Sequence, residues 1–138
     1  MSAESSLLSE IVDEFLRSYA HGSRLLAVSS PDAERSTAFA TALSAAFAER
    51  QISTTAVTPN APDADTLRSR VVAPFRDAGA DAVLIVAGDE GLLDATRRGM
   101  WHFSVWLLAG SEEPHDDATV LVDVSDPQHP FRRFADSC

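Results

Sequence analysis

Residues 24–37 read Arg24-Leu25-Leu26-Ala27-Val28-Ser29-Ser30-Pro31-Asp32-Ala33-Glu34-Arg35-Ser36-Thr37, and this order of residue types decides the fold. Leu25 to Ser29 is a short apolar strand, a turn follows, and a basic residue with a Ser-Thr pair opens an alanine-rich helix running to about Arg50. Phe39, Leu43 and Phe47 recur at i, i+4 and i+8 of that helix, and its alanines permit close approach to a sheet. Ser30-Pro31-Asp32 has the residue types of a helix start, with Ser30 as cap and Pro31 at the first helical position. Asp32 and Glu34 add negative charge in the first turn, where the helix dipole favours it.

On the N-terminal side, Leu7, Leu8, Ile11, Val12, Phe15, Leu16 and Tyr19 share one helical face, and Glu10, Asp13, Glu14 and Arg17 share the other. This amphipathic helix ends at His21-Gly22-Ser23, with Gly22 suited to a left-handed cap. Its apolar face has two candidate partners, the domain's own sheet or a second copy of the chain. Downstream, Ser53 to Thr58 is β-branched and reads as a second strand. Pro59-Asn60-Ala61-Pro62 interrupts the chain, and Asp65 is placed to cap a helix from about Thr66 to Phe75. Ala82-Val83-Leu84-Ile85-Val86 is a continuous apolar run, the pattern of a central parallel strand covered on both faces. Gly88 to Gly91 reads as a turn and Leu92 to Arg98 as a short helix; Phe103 to Leu108 and Thr119 to Val124 complete the strands.

Strands alternating with helices specify a three-layer α/β architecture in one domain, 1–138. The N-terminal helix occupies 1–22, the α/β core 24–125 and an irregular, proline-containing tail 126–138. About ten residues, Ala109 to Ala118, join the last two strands, whereas parallel neighbours usually need a dozen or more. Either an extended crossover spans the gap or the last strand is antiparallel.

The 138 residues carry 45% hydrophobic and 23% charged side chains, the balance of a globular domain able to bury a core. The net charge of -10, with a pI near 4.6, argues against nucleic acid and anionic membrane surfaces as partners. No apolar run reaches membrane-spanning length, and Met1-Ser2-Ala3-Glu4 lacks the basic start of a secretory signal. With Cys138 as the single cysteine, no internal disulfide forms, and a cytoplasmic location is expected.

The segment 29–37 has the spacing of the phosphate-binding pattern G-x-x-x-x-G-K-[ST], with Ser29 and Glu34 where the glycines stand and Arg35 where the lysine stands. Further pieces follow in order: Asp65 to Pro74, Asp81 to Leu93, Trp101 to Leu107, and Ala118 to Cys138 with its Asp126-Pro127-Gln128-His129-Pro130. Together they resemble the uridine-kinase-like branch of the P-loop kinases, within the P-loop NTPase fold, in a degenerate and shortened form. The resemblance implies about five mostly parallel strands flanked by helices. It also implies transfer of a γ-phosphate from a nucleoside triphosphate to a small hydroxyl, usually of a nucleoside. On it, Ser29, Ser30, Glu34, Arg35, Ser36 and Thr37 form a vestigial phosphate loop, and Ser36 keeps the hydroxyl position that ligates magnesium. Asp126, Pro127 and His129 fall in the loop that lies beside a purine ring.

Three working parts depart from that pattern. Glycines let backbone N–H groups approach phosphate, and Glu34 instead places a carboxylate there. Two unit charges about 4 Å apart repel by about 4 kcal/mol at an effective dielectric of 20. The acid expected at the end of the central strand is replaced by Ala87, leaving Asp89 as a shifted candidate. The acceptor-binding stretch is reduced to about Pro59 to Asp65, and the arginine-bearing lid to Gly110 to Asp117, which is acidic and has no arginine. The positive helix end is therefore expected to be satisfied by the chain's own carboxylates.

Other constellations carry less. His102, His115 and His129 with Asp116, Asp117 and Asp126 have no i, i+4 pair or recognisable metal-ligand frame. Ser29, Ser30 and Ser36 lack a nucleophile elbow, and Cys138 lacks basic neighbours that would activate a thiolate. Phe103, Val105 and Leu107 share one strand face, with Trp106 on the other and Trp101 nearby as a core or interface aromatic. The expectation is a catalytically inactive domain acting through binding or self-association as a homo-oligomer, without a cofactor or metal. The alternatives are a divergent kinase using Mg-ATP through Arg35, Ser36 and Asp89, or a nucleotide or nucleoside sensor; whether a small molecule binds is left open.

Overall fold

The computed structural model describes residues 3–58, 63–94, 98–115, 118–126 and 128–133. Six strands form one sheet in the order β2-β3-β1-β4-β5-β6. They are β1 (Ser23–Ser29), β2 (Thr54–Val57), β3 (Ala82–Gly88), β4 (Phe103–Leu108), β5 (Val120–Asp123) and β6 (Phe131–Arg133). The pairs β2–β3, β3–β1, β1–β4 and β4–β5 are parallel, and only β6 runs antiparallel, on β5. The α/β sandwich and its N-terminal helix are as expected. The crossover from β4 to β5 is the extended one, so β5 is parallel.

Alternation along the strands sorts side chains into two faces. Leu26 and Val28, Val83 and Ile85, and Phe103, Val105 and Leu107 point to the face covered by α1 (Ala3–Ser18) and α2 (Ala33–Glu49). Leu25, Ala27, Leu84 and Val86 point to the opposite face, covered by α3 (Ala64–Leu67), a π turn (Arg68–Val72) and α4 (Ala73–Ala78). The apolar face of α1 is thus buried in the chain's own core, which decides between the two partners its amphipathicity left open. Phe15 is its anchor, edge-on to Phe47 of α2 and Phe103 of β4 at ring separations of 5.5 and 5.4 Å.

Several boundaries differ from the sequence expectations. Asp63, not Asp65, caps the third helix: its backbone is extended and its Oδ1 accepts the Thr66 N–H at 2.7 Å, whereas Asp65 lies within the first turn. The helix continues past Phe75 to Ala78 and closes on Gly79 in the left-handed conformation. Pro74 does not end it, because the preceding π turn lets the Ala73 N–H bond to Arg68 O while proline's missing donor is tolerated at the start of α4. The expected helix from Leu92 to Arg98 is instead a 3₁₀ turn over Glu90–Leu93, extended backbone at Asp94, and a second 3₁₀ turn over Arg98–Met100. Gly22 has a positive φ of 92°, but in the turn entering β1 rather than at the helix end. The tail is not wholly irregular. Its sixth strand is pinned to α1 by Arg132, whose Nη1 and Nη2 donate to Glu14 Oε1 and Oε2 at 2.8 and 3.1 Å.

Two side chains at the N-terminal ends of the strands hold backbone groups. Arg24, 2% exposed, donates from Nη1 to the carbonyls of Tyr19 and Ala20 at 2.8 and 2.9 Å, and from Nη2 to Asp81 Oδ1 at 3.2 Å. It thereby satisfies carbonyls left free where α1 ends. His102 extends the β1–β4 ladder: its N–H donates to Leu25 O at 2.9 Å, and its Nδ1 accepts the Leu25 N–H at 3.0 Å. An imidazole that accepts there cannot also carry a proton on Nδ1. Desolvation, then the positive charges of Arg76 and Arg24, hold its pKa below the ordinary histidine value.

Because the folded pKa lies below the unfolded one, the unfolded chain binds the proton first. His102 therefore makes stability fall as pH drops below about 6.5, a loss that levels off once pH passes below the folded pKa. Denaturant midpoints at about pH 7.5 and 5.5 are expected to differ more for the wild type than for His102→Asn, whose carbonyl accepts the same N–H without titrating. Equal pH slopes would contradict this role.

Candidate functional site

The carboxyl ends of β1, β3 and β4 lie side by side, with Ser29 in register with Gly88 on one flank and Trp106 on the other. In open α/β sheets, ligands enter at such strand ends. Only Ser30, Pro31 and Asp32 separate β1 from α2. The cap is Asp32, not Ser30, and Pro31 precedes it rather than opening the helix. Asp32 has extended backbone, and its Oδ1 accepts the Glu34 N–H at 3.0 Å. Ser30 instead braces the turn from inside: its Oγ accepts the Asp32 N–H at 3.1 Å and donates to Asp32 O at 2.5 Å. Asp32 serves better because its carboxylate reaches an amide two residues ahead while carrying a charge the helix end favours.

Ser29, Ser30 and Ser36 are fully buried around this turn. Ser36 Oγ lies 2.9 Å from Ser30 Oγ, and Ser29 Oγ donates to Asp89 O at 2.5 Å. Asp89 is thus drawn beside β1, but its carboxylate caps the 3₁₀ turn, accepting the Gly91 N–H at 2.9 Å. Ala87 is buried in the core. Thr37 faces outward and lies 3.0 Å from the Thr58 hydroxyl. Glu34 is exposed at the second helical position, so its carboxylate projects to solvent rather than across the turn.

The carboxylate that meets Arg35 comes from the crossover between β4 and β5. Glu112 Oε1 accepts from Arg35 Nη1 at 2.8 Å and from the Ala109 N–H at 2.8 Å, and Oε2 lies 3.4 Å from Nη2. The side chains are 24% and 32% exposed. The hydrogen bond from Arg35 is the largest cause holding the Glu112 carboxyl below its ordinary pKa. Sequence reasoning noted an acidic crossover without singling out Glu112. The available signal was Arg35 itself, since a cation beside an inward-facing Ser36 needs a counter-charge. Trp106 Nε1 also donates to Glu113 O at 3.0 Å, and the Gly110 N–H donates to Ser125 Oγ at 2.7 Å.

In the tail, Asp126 and His129 find each other, with Nδ1 3.0 Å from Oδ2. The Gln128 N–H, then His129, lower the Asp126 pKa, and both side chains are exposed. Pro127 lies outside the described residues, as do Asp116 and Asp117. Val124 and Pro130, rather than Asp126 and His129, wall a cavity of about 250 Å³ shared with Leu107 of β4 and with Arg35, Ala38, Phe39 and Ala42 of α2. A wider hollow of about 790 Å³ runs along the outer side of α1, lined by residues such as Glu10, Asp13 and Arg17 and by none of the turn. Among the described residues, no three His, Cys, Asp or Glu side chains converge as a metal site, and no helix is long and apolar enough to cross a membrane.

No protein-family model and no curated protein matches the sequence. A solved structure described as a possible uridine kinase from Bacillus stearothermophilus is similar, with a TM-score of 0.62 over 76% of this chain and 81% of that one, at 13% identity. The fold is P-loop-kinase-like. At that identity the likeness carries the arrangement of helices and strands, not the activity.

The Arg35–Glu112 pair is expected to couple by about 1 kcal/mol at neutral pH in a double-mutant cycle of Arg35→Ala and Glu112→Ala on stability. Since the Glu112 pKa is lowered on folding, its contribution is present above the ordinary glutamate range and lost as pH falls through the folded value. Additivity at neutral pH would show that the pair holds nothing.

Proposed function

We propose that this domain does not transfer phosphate and acts as a binding module built on a kinase-like frame. The observation that carries the reading is Arg35, which occupies the phosphate-lysine position of the resemblance and is held by the chain's own Glu112. The three-residue turn supports it, because the Glu34 amide is already satisfied by Asp32. Opening the site would cost the cap (about 1 kcal/mol), the Arg35 pair (about 1 kcal/mol) and the buried Ser30–Ser36 contact (about 1–3 kcal/mol). The total of about 4 kcal/mol corresponds to about three decades, enough to turn a micromolar nucleotide site into a millimolar one.

An active kinase would need Ser36 free for magnesium and an acid near Ala87, and neither feature favours it. Self-association through the apolar face of α1 is not proposed, since that face is inside the core; the edge strands β2 and β6 are the remaining routes. A nucleoside sensor is the second reading, favoured by the cavity at Val124 and Pro130. The expected partners are neither nucleic acid nor membrane, and the expected compartment is the cytoplasm.

Isothermal titration of the full chain with Mg-ATP tests the main reading. The expected result is no binding at sub-millimolar nucleotide; micromolar affinity, or turnover onto a nucleoside that Ser36→Ala abolishes, would reverse it.

A further inference from the structure

We propose that the cavity between α2, β4 and the start of the tail is a binding site for a small apolar monocarboxylic acid, whose acid group sits on Arg35 in competition with Glu112. The inference deepens the binding-module reading and rests on it. Among the described residues, Arg35 is the one charged residue lining the cavity, and the rest of the described wall is apolar, from Phe39 and Ala42 on α2 through Leu107 to Val124 and Pro130. The guanidinium already holds a carboxylate from Glu112. Only the contact at Nη1 is short, while Nη2 is 3.4 Å from its oxygen, and the side chain remains 24% exposed. A second carboxylate therefore meets a donor suited to it by geometry and charge.

Charge and size narrow the ligand. The exposed carboxylates of Asp32 and Glu34 flank Arg35 in sequence, and the chain carries a net charge of -10, so a polyanion is repelled more than a monoanion. A volume of about 250 Å³ is below the ~300–1,000 Å³ of drug-sized sites, which favours a single ring or short branched chain.

Benzoate is the probe, benzyl alcohol the control of the same shape without the acid, and adenosine the competitor from the sensor reading. Titration with ligand-observed NMR on the full chain is expected to show benzoate binding to the wild type and no binding of benzyl alcohol at equal concentration. Glu112→Gln should tighten benzoate binding about tenfold and Arg35→Gln should weaken it about tenfold, because each changes one charge-assisted hydrogen bond. Ala42→Phe should abolish binding by filling the cavity while leaving the melting transition cooperative. Glu112→Ala and Ala38→Leu replace any variant that does not fold. Benzoate silent in the wild type and in the Glu112 variant, or adenosine bound more tightly without dependence on Arg35, would overturn the proposal. Mg-ATP titrated in parallel separates the two readings: micromolar Mg-ATP binding contradicts the inactive-turn reading whatever benzoate does, and silence from both ligands overturns the carboxylate site alone.

Discussion

Three residues joining β1 to α2 constrain everything at the carboxyl end of this sheet. With so short a turn, α2 starts at Ala33, and Asp32 meets the Glu34 amide through Oδ1 and the Ser36 amide through its carbonyl. Helical geometry then places Ser36 inward, against Ser30, and leaves Arg35 at the rim. A longer glycine-rich turn would leave amides open toward a ligand; here a carboxylate takes the Glu34 amide. The positive helix end is answered by Asp32, and the nearby guanidinium by Glu112.

The same pairing explains how an eleven-residue link, 109–119, with no helix among its described residues, joins two parallel strands. Its backbone turns at Gly110, which has a positive φ of 60°, and is tied at Arg35, at the Trp106 indole and at Ser125. Each tie is modest, about 1 kcal/mol. Together they replace the packing a crossover helix would supply. The residue that fastens the crossover is thus also the one that occupies Arg35.

Much of the fold was legible because burial writes itself into periodicity. The unbroken apolar run at 82–86 belongs to a strand covered on both faces, and the alternation of Phe103, Val105 and Leu107 against Trp106 matches the two clusters they join. The α1 face was visible too, but not what it packs against, since a pattern on one helix says nothing of its partner. Features set by contacts distant in sequence were not legible. Arg35 meets Glu112 across 77 positions, Arg132 meets Glu14 across 118, and Arg24 meets Asp81 across 57. The sixth strand is short and exposed at Phe131, so it carries no apolar signature. At the site, internal neutralisation was readable, with Asp32 and Glu34 as its local candidates; in the structure Asp32 caps the helix, Glu34 is exposed, and Glu112, far along the chain, meets Arg35.

The most direct measurement is the ¹⁵N–¹H spectrum of the full chain as Mg-ATP is added to millimolar concentration. If the turn is self-satisfied, the amide signals of Glu34, Arg35 and Ser36 stay in place while nucleotide accumulates. Saturable shifts concentrated on those three amides at micromolar nucleotide would mean that they turn toward phosphate, and would contradict the account.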